Sequence, residues 1–173
     1  MDTPFNWGLE TSREDLRIGF LASEFDSFDV PSFNEVDEGA LDVFRSLGAK
    51  VEAVELPEYR SAVNRIILRV EAAAAFDDIT RSGEIDSMTE QDSSGWPGIF
   101  RAARTIPAVE YVRAQRIRTK LISEMESLMQ DWDVILAPGT GGDSLGLTNL
   151  TGHPAVNLPC GFVNNMPRGI TLI

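Results

Sequence analysis

The chain has 173 residues, which suits one domain or part of a larger one, and its 43% hydrophobic content is ample for a packed core. Its formal net charge of −12 argues against direct nucleic-acid binding, because a phosphate backbone requires clustered Lys and Arg. The sequence contains no apolar run long enough to span a membrane and no signal-peptide pattern. A single cysteine excludes an internal disulfide framework, so we expect a cytoplasmic protein.

The first third of the chain predicts a strand, a helix and a second strand. Residues 1–15 lack periodicity and predict an irregular lead-in. A short apolar run at 16–22 is typical of a buried strand, and apolar residues then recur every three or four positions from Ser32 to Leu47. Gly48 is expected to end that helix, and 51–56 to form the next strand. This pattern predicts a parallel, right-handed βαβ unit.

The middle of the chain predicts helices. Apolar residues within 61–81 lie on one face and predict a helix that Gly83 ends. A polar loop with a short helical piece near 85–90 is expected at 84–98. Residues 99–130 predict a long helical region whose main helix begins at Pro107, because proline is tolerated in a first turn. A basic cluster within that helix is expected to be a solvated face: Arg113, Arg116, Arg118 and Lys120.

The last forty residues predict three strands. The continuous apolar run at 133–138 is typical of a strand covered on both faces. Residues 139–146 predict a flexible turn, and the stretch from Leu147 predicts a polar loop. Strands are expected at 155–159 and 169–173, separated by a turn.

Two stretches, one rich in glycine and one with two serines, are similar to a phosphate-binding loop and to a nucleophile loop. Each lacks residues that such a loop needs. The turn Gly139-Thr140-Gly141-Gly142 follows a parallel strand but has neither the Lys-Ser/Thr pair of a P-loop nor a third fingerprint glycine. We therefore expect a tight connection with no helix after it. Ser93 and Ser94 lack flanking glycines that would aim backbone N–H groups at an oxyanion, so a structural pair is expected.

The chain has one histidine, His153, and one cysteine, Cys160. Together they cannot supply the usual ligand count of a zinc site. His153 precedes a proline at a strand entrance, and Cys160 lies at a strand end, so structural roles are expected for both. A thiol hydrolase that uses Cys160 and His153 is a remote alternative.

The closing segment is the most distinctive part of the sequence. N-L-T-G-H-P-A-V-N-L-P-C-G-F, followed by P-R-G-I-T-L-I, resembles the end of the amidase signature family, which includes amidases and the amidase-type subunit of glutamyl-tRNA amidotransferases. Weaker similarity runs through the chain in the same order. It includes F-N-W at 5–7, L-R-I-G-F-L at 16–21, L-G-A at 47–49, E-L-P at 55–57, I-P-A-V-E-Y at 106–111, A-Q-R-I-R at 114–118 and D-V at 133–134.

This resemblance implies a fold class, and it also implies which portion of that fold the chain forms. The fold class is α/β, a partial amidase-signature-like fold with a mixed, mostly parallel sheet flanked by helices. Residues 1–173 would form a single partial domain, the second half of an amidase-like domain. The missing N-terminal half is the implied partner, with self-association as a second possibility, and neither nucleic acid nor a membrane is expected to bind.

The resemblance also implies carboxamide C–N bond hydrolysis in the complete enzyme. The family's catalytic lysine and two serines, one of them in a Gly-Gly-Ser-Ser-Gly-Gly-Ser loop, belong to its first half. Neither lysine of this chain, Lys50 or Lys120, has the matching sequence context. We therefore expect no catalytic residues here and no activity of this chain alone. No cofactor or metal is implied.

The resemblance implies that this chain contributes one wall of the substrate cleft. Polar groups at strand entrances are the candidates for it: Asn149, Thr151 and His153. Arg101 and Arg104 are candidates for binding a substrate carboxylate, because arginine can hold one through two parallel hydrogen bonds. The alternative function is a non-catalytic α/β binding or scaffold module derived from an amidase.

Overall fold

The computed structural model describes residues 15–25, 31–139 and 142–173. It divides the chain into two compact units. The first comprises Met1–Leu56, Met125–Thr148 and His153–Ile173, and the second comprises Pro57–Glu124 and Asn149–Gly152. Nearly all of the irregular lead-in predicted for 1–15 lies outside the described residues.

The first unit begins with the βαβ arrangement that the sequence predicts. Strand β1 (Arg17–Phe20) is followed by the short helix α1 (Ala22–Phe25), then by α2 (Pro31–Ser46) and strand β2 (Lys50–Ala53). The two strands pair in parallel, with Arg17 opposite Lys50. Gly48 has a φ of 88°, a left-handed conformation that glycine adopts without strain, and it separates α2 from β2 as predicted.

Three further strands complete a five-stranded mixed sheet: β3 (Val134–Pro138), β4 (Val156–Val163) and β5 (Met166–Leu172). The strand order is β2-β1-β3-β5-β4. Strand β3 runs parallel to β1 and antiparallel to β5, and β5 is antiparallel to β4. The mixed α/β fold class is therefore confirmed, with parallel pairing at one side of the sheet and a hairpin at the other.

The β4–β5 hairpin is longer than the sequence predicts. Its turn is formed by Asn164 and Asn165, which have φ values of 52° and 62°. Two consecutive positive φ values are typical of a type I′ turn, and asparagine tolerates them better than most residues. The pairing continues up to this turn, with Val163 opposite Met166. Strands that were expected to end at 159 and begin at 169 therefore extend to meet each other.

The core of the first unit lies on both faces of the sheet. On one face a buried cluster forms around Leu136, and on the other around its neighbours Ile135 and Ala137, because successive strand residues point to opposite faces. The first cluster consists of Ile18, Phe25, Ala40, Leu41, Leu136 and Ile170. The second consists of Leu21, Val54, Ile135 and Ala137. Burial on both faces of β3 agrees with its continuous apolar sequence.

The second unit is helical. It contains α3 (Ser61–Ala75), α4 (Asp77–Ser82), a 3-10 turn (Glu84–Ser87), α5 (Trp96–Ala103) and most of α6 (Ala108–Met129), around a cluster of Ala73, Ile85, Phe100 and Ala103. The prediction that α6 begins at Pro107 is confirmed to within one residue, since the carbonyl of Pro107 accepts hydrogen bonds from the first turn of α6.

The prediction of a single helix at 61–81 is wrong, because the helix is interrupted at Phe76. This residue leaves helical geometry, with φ −106° and ψ 27°. Its ring stacks on Phe100, with centroids 5.1 Å apart. That contact joins residues 24 positions apart, so local periodicity does not reveal it.

Residues 144–151 also differ from the prediction. They form α7 (Ser144–Thr151), where the sequence predicts a flexible turn followed by a polar loop. Among the described residues, no helix combines the length and the apolar composition needed to cross a membrane.

Candidate functional site

Helix α7 begins against a buried carboxylate. Glu24, on α1, accepts hydrogen bonds from the Ser144 backbone N–H at 2.7 Å and from the Ser144 hydroxyl at 2.6 Å. Both side chains are buried. A carboxylate at this position satisfies a free N–H group and complements the positive end of the helix dipole. Local sequence does not reveal this helix, because its capping carboxylate lies 120 residues away in the chain.

Gly142 makes this contact possible. It has a φ of 75°, and a Cβ at this position would collide with the carboxyl group of Glu24. Glycine therefore meets two requirements here, a left-handed backbone and a close approach. The expectation that no helix follows this turn is wrong, because α7 begins at Ser144. Thr140 and Gly141 lie outside the described residues.

The hydroxyl group of Thr148 bonds within α7. The Thr148 hydroxyl donates to the Ser144 carbonyl at 2.9 Å, a pattern by which threonine satisfies its side chain inside a helix. Gly152, with a φ of 82°, follows the helix, and the His153 backbone N–H donates to the Thr148 carbonyl at 3.1 Å. This left-handed ending satisfies a carbonyl in the last turn of α7.

Arg118 fixes another carbonyl of α7. Its Nε donates to the carbonyl oxygen of Leu150 at 2.7 Å. The basic cluster of α6 was expected to be a solvated face. Arg113 and Lys120 agree with this, pairing with Glu110 and Glu124 of their own helix at 3.1 and 3.2 Å. Arg118 instead has a structural contact, which a sequence pattern within α6 does not show.

The three predicted cleft-wall residues lie at or just beyond the end of α7. Asn149 is exposed, whereas Thr151 is buried. Two residues that are two positions apart on a helix project about 200° apart, so these side chains do not share a face. His153 follows Gly152 and is partly buried. The structure therefore places the three in one short segment but orients Asn149 and Thr151 differently.

The two predicted carboxylate-binding arginines already contact carboxylates of this chain. Arg101 pairs with Asp86 at 2.5 Å and also donates to the Gln91 side-chain oxygen at 3.1 Å. Arg104 pairs with Asp77. A substrate carboxylate at either arginine would have to compete with a resident acidic side chain.

Ser93 and Ser94 belong to a loop organised by Asp92. One oxygen of the Asp92 carboxylate accepts hydrogen bonds from the Ser94 N–H, the Ser94 hydroxyl and the Gly95 N–H, at 2.7, 2.6 and 2.9 Å. These bonds, first of all that from the Ser94 hydroxyl, lower the pKa of Asp92. The arrangement precedes α5 directly and gives Ser94 the structural role that was predicted for the serine pair.

Cys160 has the environment of a structural thiol. Its Sγ lies 3.5 Å from the carbonyl oxygen of Arg168. Burial, followed by the nearby charge of Asp37, raises the pKa of the thiol. A raised pKa disfavours the thiolate, which is the nucleophilic form of cysteine. This environment argues against the alternative of a thiol hydrolase.

The structure reveals a buried ion pair that no local sequence pattern indicates. Asp37 on α2 and Arg168 on β5 are both buried, and the guanidinium donates to both carboxylate oxygens, with Nε 2.9 Å from Oδ1. The guanidinium also lies over the ring of Phe33, 4.5 Å from its centroid. Two parallel hydrogen bonds and a cation–π contact offset the cost of burying both charges.

A surface depression, but no cluster of metal ligands, accompanies this ion pair in the described part of the chain. No three His, Cys, Asp or Glu side chains in the described ranges are grouped so that they could hold a metal ion. A surface depression beside the pair has a volume of about 230 Å³ and is lined mainly by the β4–β5 turn and Phe33.

Comparison with known proteins shows what this chain is similar to. No family model matches it. Its sequence is 28% identical over 183 aligned positions to a glutamyl-tRNA(Gln) amidotransferase subunit of Streptococcus pyogenes, and the match covers 83% of this chain. Its fold matches a bacterial aryl acylamidase of the amidase signature enzymes, with a TM-score of 0.69 over 90% of this chain at 21% identity. The chain is therefore similar in sequence to this amidotransferase subunit and in fold to the amidase signature enzymes.

A second solved structure also matches the fold. The corresponding glutamyl-tRNA(Gln) amidotransferase subunit of Thermotoga maritima matches 91% of this chain with a TM-score of 0.64 and 22% identity. The match is one-sided, however. This chain spans about 38% of the length of the Streptococcus pyogenes relative and 38–39% of the two solved structures.

Proposed function

We propose that these 173 residues form the C-terminal portion of an amidase signature hydrolase, whose complete form cleaves the C–N bond of carboxamides. The observation that carries this proposal is the one-sided match, which covers 83% of this chain but 38% of the relative. The portion would supply part of the sheet core and one wall of the substrate cleft. The complementary portion would supply the reacting groups.

We further propose that the polypeptide by itself does not hydrolyse amides. In the family's chemistry, as the resemblance implies it, a lysine acts as base for a serine pair. Lys50 lies on β2, and Lys120 pairs with Glu124 on the same helix, so neither adjoins a serine loop of that kind. Ser94 is held by Asp92, and the buried hydroxyl of Ser144 donates to Glu24. These contacts support structural roles for both serines.

Within the complete enzyme, we assign the cleft wall to the end of α7. Asn149 is the strongest candidate, because its amide group is exposed and can both donate and accept hydrogen bonds. Thr151 and His153 are the other two members of this proposed wall. Arg101 and Arg104 are retained as candidates for a substrate carboxylate, in competition with Asp86 and Asp77.

Complementation tests the proposal. The purified chain is assayed for ammonia release from simple aryl and aliphatic amides, alone and with a polypeptide covering the part of the Streptococcus pyogenes relative that the match does not include. We expect no release from the chain alone and release from the mixture. Amide turnover by the purified chain alone would contradict the absence of catalytic residues, and an inactive mixture would contradict the hydrolase assignment.

In an active mixture, the Asn149→Ala variant tests whether Asn149 contacts the substrate or is only an exposed surface residue. We expect kcat/KM to fall, because the amide group would no longer contact the substrate. Gln130→Ala, which removes another exposed amide outside α7, serves as the control and should leave kcat/KM unchanged. Equal kinetics for the two variants would argue against Asn149.

The second candidate is a non-catalytic α/β binding or scaffold module. The observation that favours it is that the first unit has a buried core on both faces of its sheet and a buried ion pair. It predicts cooperative unfolding and a melting temperature that rises with some small ligand, without any amide turnover after complementation. A molten state with exposed apolar surface would argue against this candidate.

A further inference from the structure

The end of α7 depends on a contact from outside the helix. The last carbonyls of an α-helix have no intrahelical partner, and the N–H that would reach the Leu150 carbonyl belongs to the fourth residue after it. That residue is Pro154, which has no N–H to donate. The N–H of His153 donates to the Thr148 carbonyl instead. The Leu150 carbonyl therefore needs a donor from another element.

That donor is Arg118 of α6, whose Nε lies 2.7 Å from the Leu150 carbonyl oxygen. Leu150 is 4% exposed, so water has little access to this oxygen. The positive guanidinium also complements the negative end of the helix dipole at this position. One side chain of α6 thus satisfies a buried acceptor and stabilises the carboxyl end of α7.

Arg118 belongs to the inward face of α6. Ala114 and Leu121 lie four residues before it and three residues after it, a spacing that places all three on one face of a helix. Both of these neighbours are buried, so they hold this face of α6 in the core. Arg113 and Lys120 instead pair with acidic residues of the same helix. The inward position gives the Arg118 side chain a fixed base from which to reach α7.

We propose that Arg118 is a positioning residue for the end of α7, where Asn149 and Thr151 flank the carbonyl that it binds. A helix of eight residues is too short to be stable by itself, so its last turn takes the geometry that such contacts impose. Without the guanidinium, the last turn opens so that water can reach the Leu150 carbonyl, and the neighbouring side chains change direction. The consequence for substrate binding rests on the proposed function, because the cleft wall belongs to the complete enzyme.

Hydrogen exchange of the purified chain tests this positioning without an assay of activity. Arg118→Met should speed exchange of the 149–153 amides at least about fivefold, because the last turn of α7 opens more often. Arg118→Lys should retain part of the protection, since an ammonium can also donate to a carbonyl, and it replaces Arg118→Met in the comparison if that variant does not fold. Arg113→Met is the matched control from the same helix and should leave these amides unchanged.

Two results of the exchange measurement would overturn the proposal. One is exchange of the 149–153 amides in the Arg118 variants at the rate of the natural chain. The other is faster exchange throughout the folded chain, which would mean that Arg118 contributes to general stability and does not position this segment in particular.

A double-substitution cycle in an active mixture with the complementary portion tests the consequence for the cleft wall. Arg118→Met and Asn149→Ala should each lower kcat/KM, mainly by raising KM. The double variant should lose little more than Asn149→Ala alone, because Arg118 acts through a side chain that is already removed. Losses that multiply in the double variant would contradict a role through Asn149. A natural chain that gives no activity in the mixture would contradict the proposed function, whereas the exchange rates would still decide whether Arg118 positions the end of α7.

Discussion

The carboxylate of Asp37 and the guanidinium of Arg168 form a buried ion pair that joins α2 to β5 across 131 positions of sequence. Each charge depends on the other, because neither side chain has significant access to solvent. Removing one partner leaves an uncompensated buried charge, whereas removing both does not.

Asp37→Leu and Arg168→Met should therefore each destabilise the protein by about 3–5 kcal/mol, and the double variant should recover most of that loss. Urea unfolding of all four proteins, followed by circular dichroism, measures the free energies. Arg45→Met is the control: Arg45 pairs with Asp42 on the surface of α2 and should contribute about 0–1 kcal/mol. Additive losses in the double variant would contradict the coupling of Asp37 and Arg168.

Replacing glycine by alanine should change the stability of the folded protein in opposite directions at two positions. Gly142→Ala places a methyl group against the Glu24 carboxylate at a φ of 75°, so we expect a loss of more than about 1 kcal/mol. Gly39→Ala, in α2, meets no atom within 4 Å and should stabilise the protein by about 0.5–1 kcal/mol. Thermal melting of both variants checks the signs, and a neutral Gly142→Ala would refute the close approach to Glu24.

The contact between Arg17 and Asp133 should make stability depend on acidic pH. Hydrogen bonds from the Arg17 side chain and backbone N–H lower the pKa of Asp133 below its ordinary 3.8. A lowered pKa in the folded state gives stability that is complete above pH 3.8 and is lost as pH falls through the folded-state value.

Asp133→Asn should accordingly be less stable than the natural chain near neutral pH, and the difference should shrink below pH 3.8. Melting temperatures from about pH 7 to about pH 2.5 measure this convergence. Asp42→Asn, on the exposed side of α2, is the control substitution. A stability difference that stays constant across this range would show that ionisation of Asp133 is not its source.

Cys160 should react slowly with thiol reagents. Burial raises the pKa of its thiol, so the thiolate fraction near about pH 8 is smaller than that of an exposed cysteine. We expect alkylation of the folded chain to be slower than that of the same chain in guanidinium chloride at the same pH. Equal rates in the two states would mean that the folded structure does not protect the thiol.

Local sequence patterns were sufficient for most elements of this protein. The apolar spacing between β1 and β2, with Gly48 at the helix end, predicted the parallel βαβ unit, and the apolar run at β3 predicted a strand buried on both faces. These features depend on residues that are neighbours in sequence. The closing segment also indicated the resemblance to amidase signature enzymes, because its residues occur in a recognisable order.

Only the tertiary structure revealed the features that depend on distant residues. Helix α7 forms where a loop was expected because Glu24 caps it, and α3 ends where Phe76 stacks on Phe100. Arg101 and Arg104, predicted as candidates for binding a substrate carboxylate, each pair with a carboxylate from another part of the chain. Burial and pairing are set by the whole fold, whereas helix and strand periodicity is local. The sequence by itself therefore determined most of the strands and helices and what they resemble, and the fold decided where α3 ends, that α7 forms and which charges are paired.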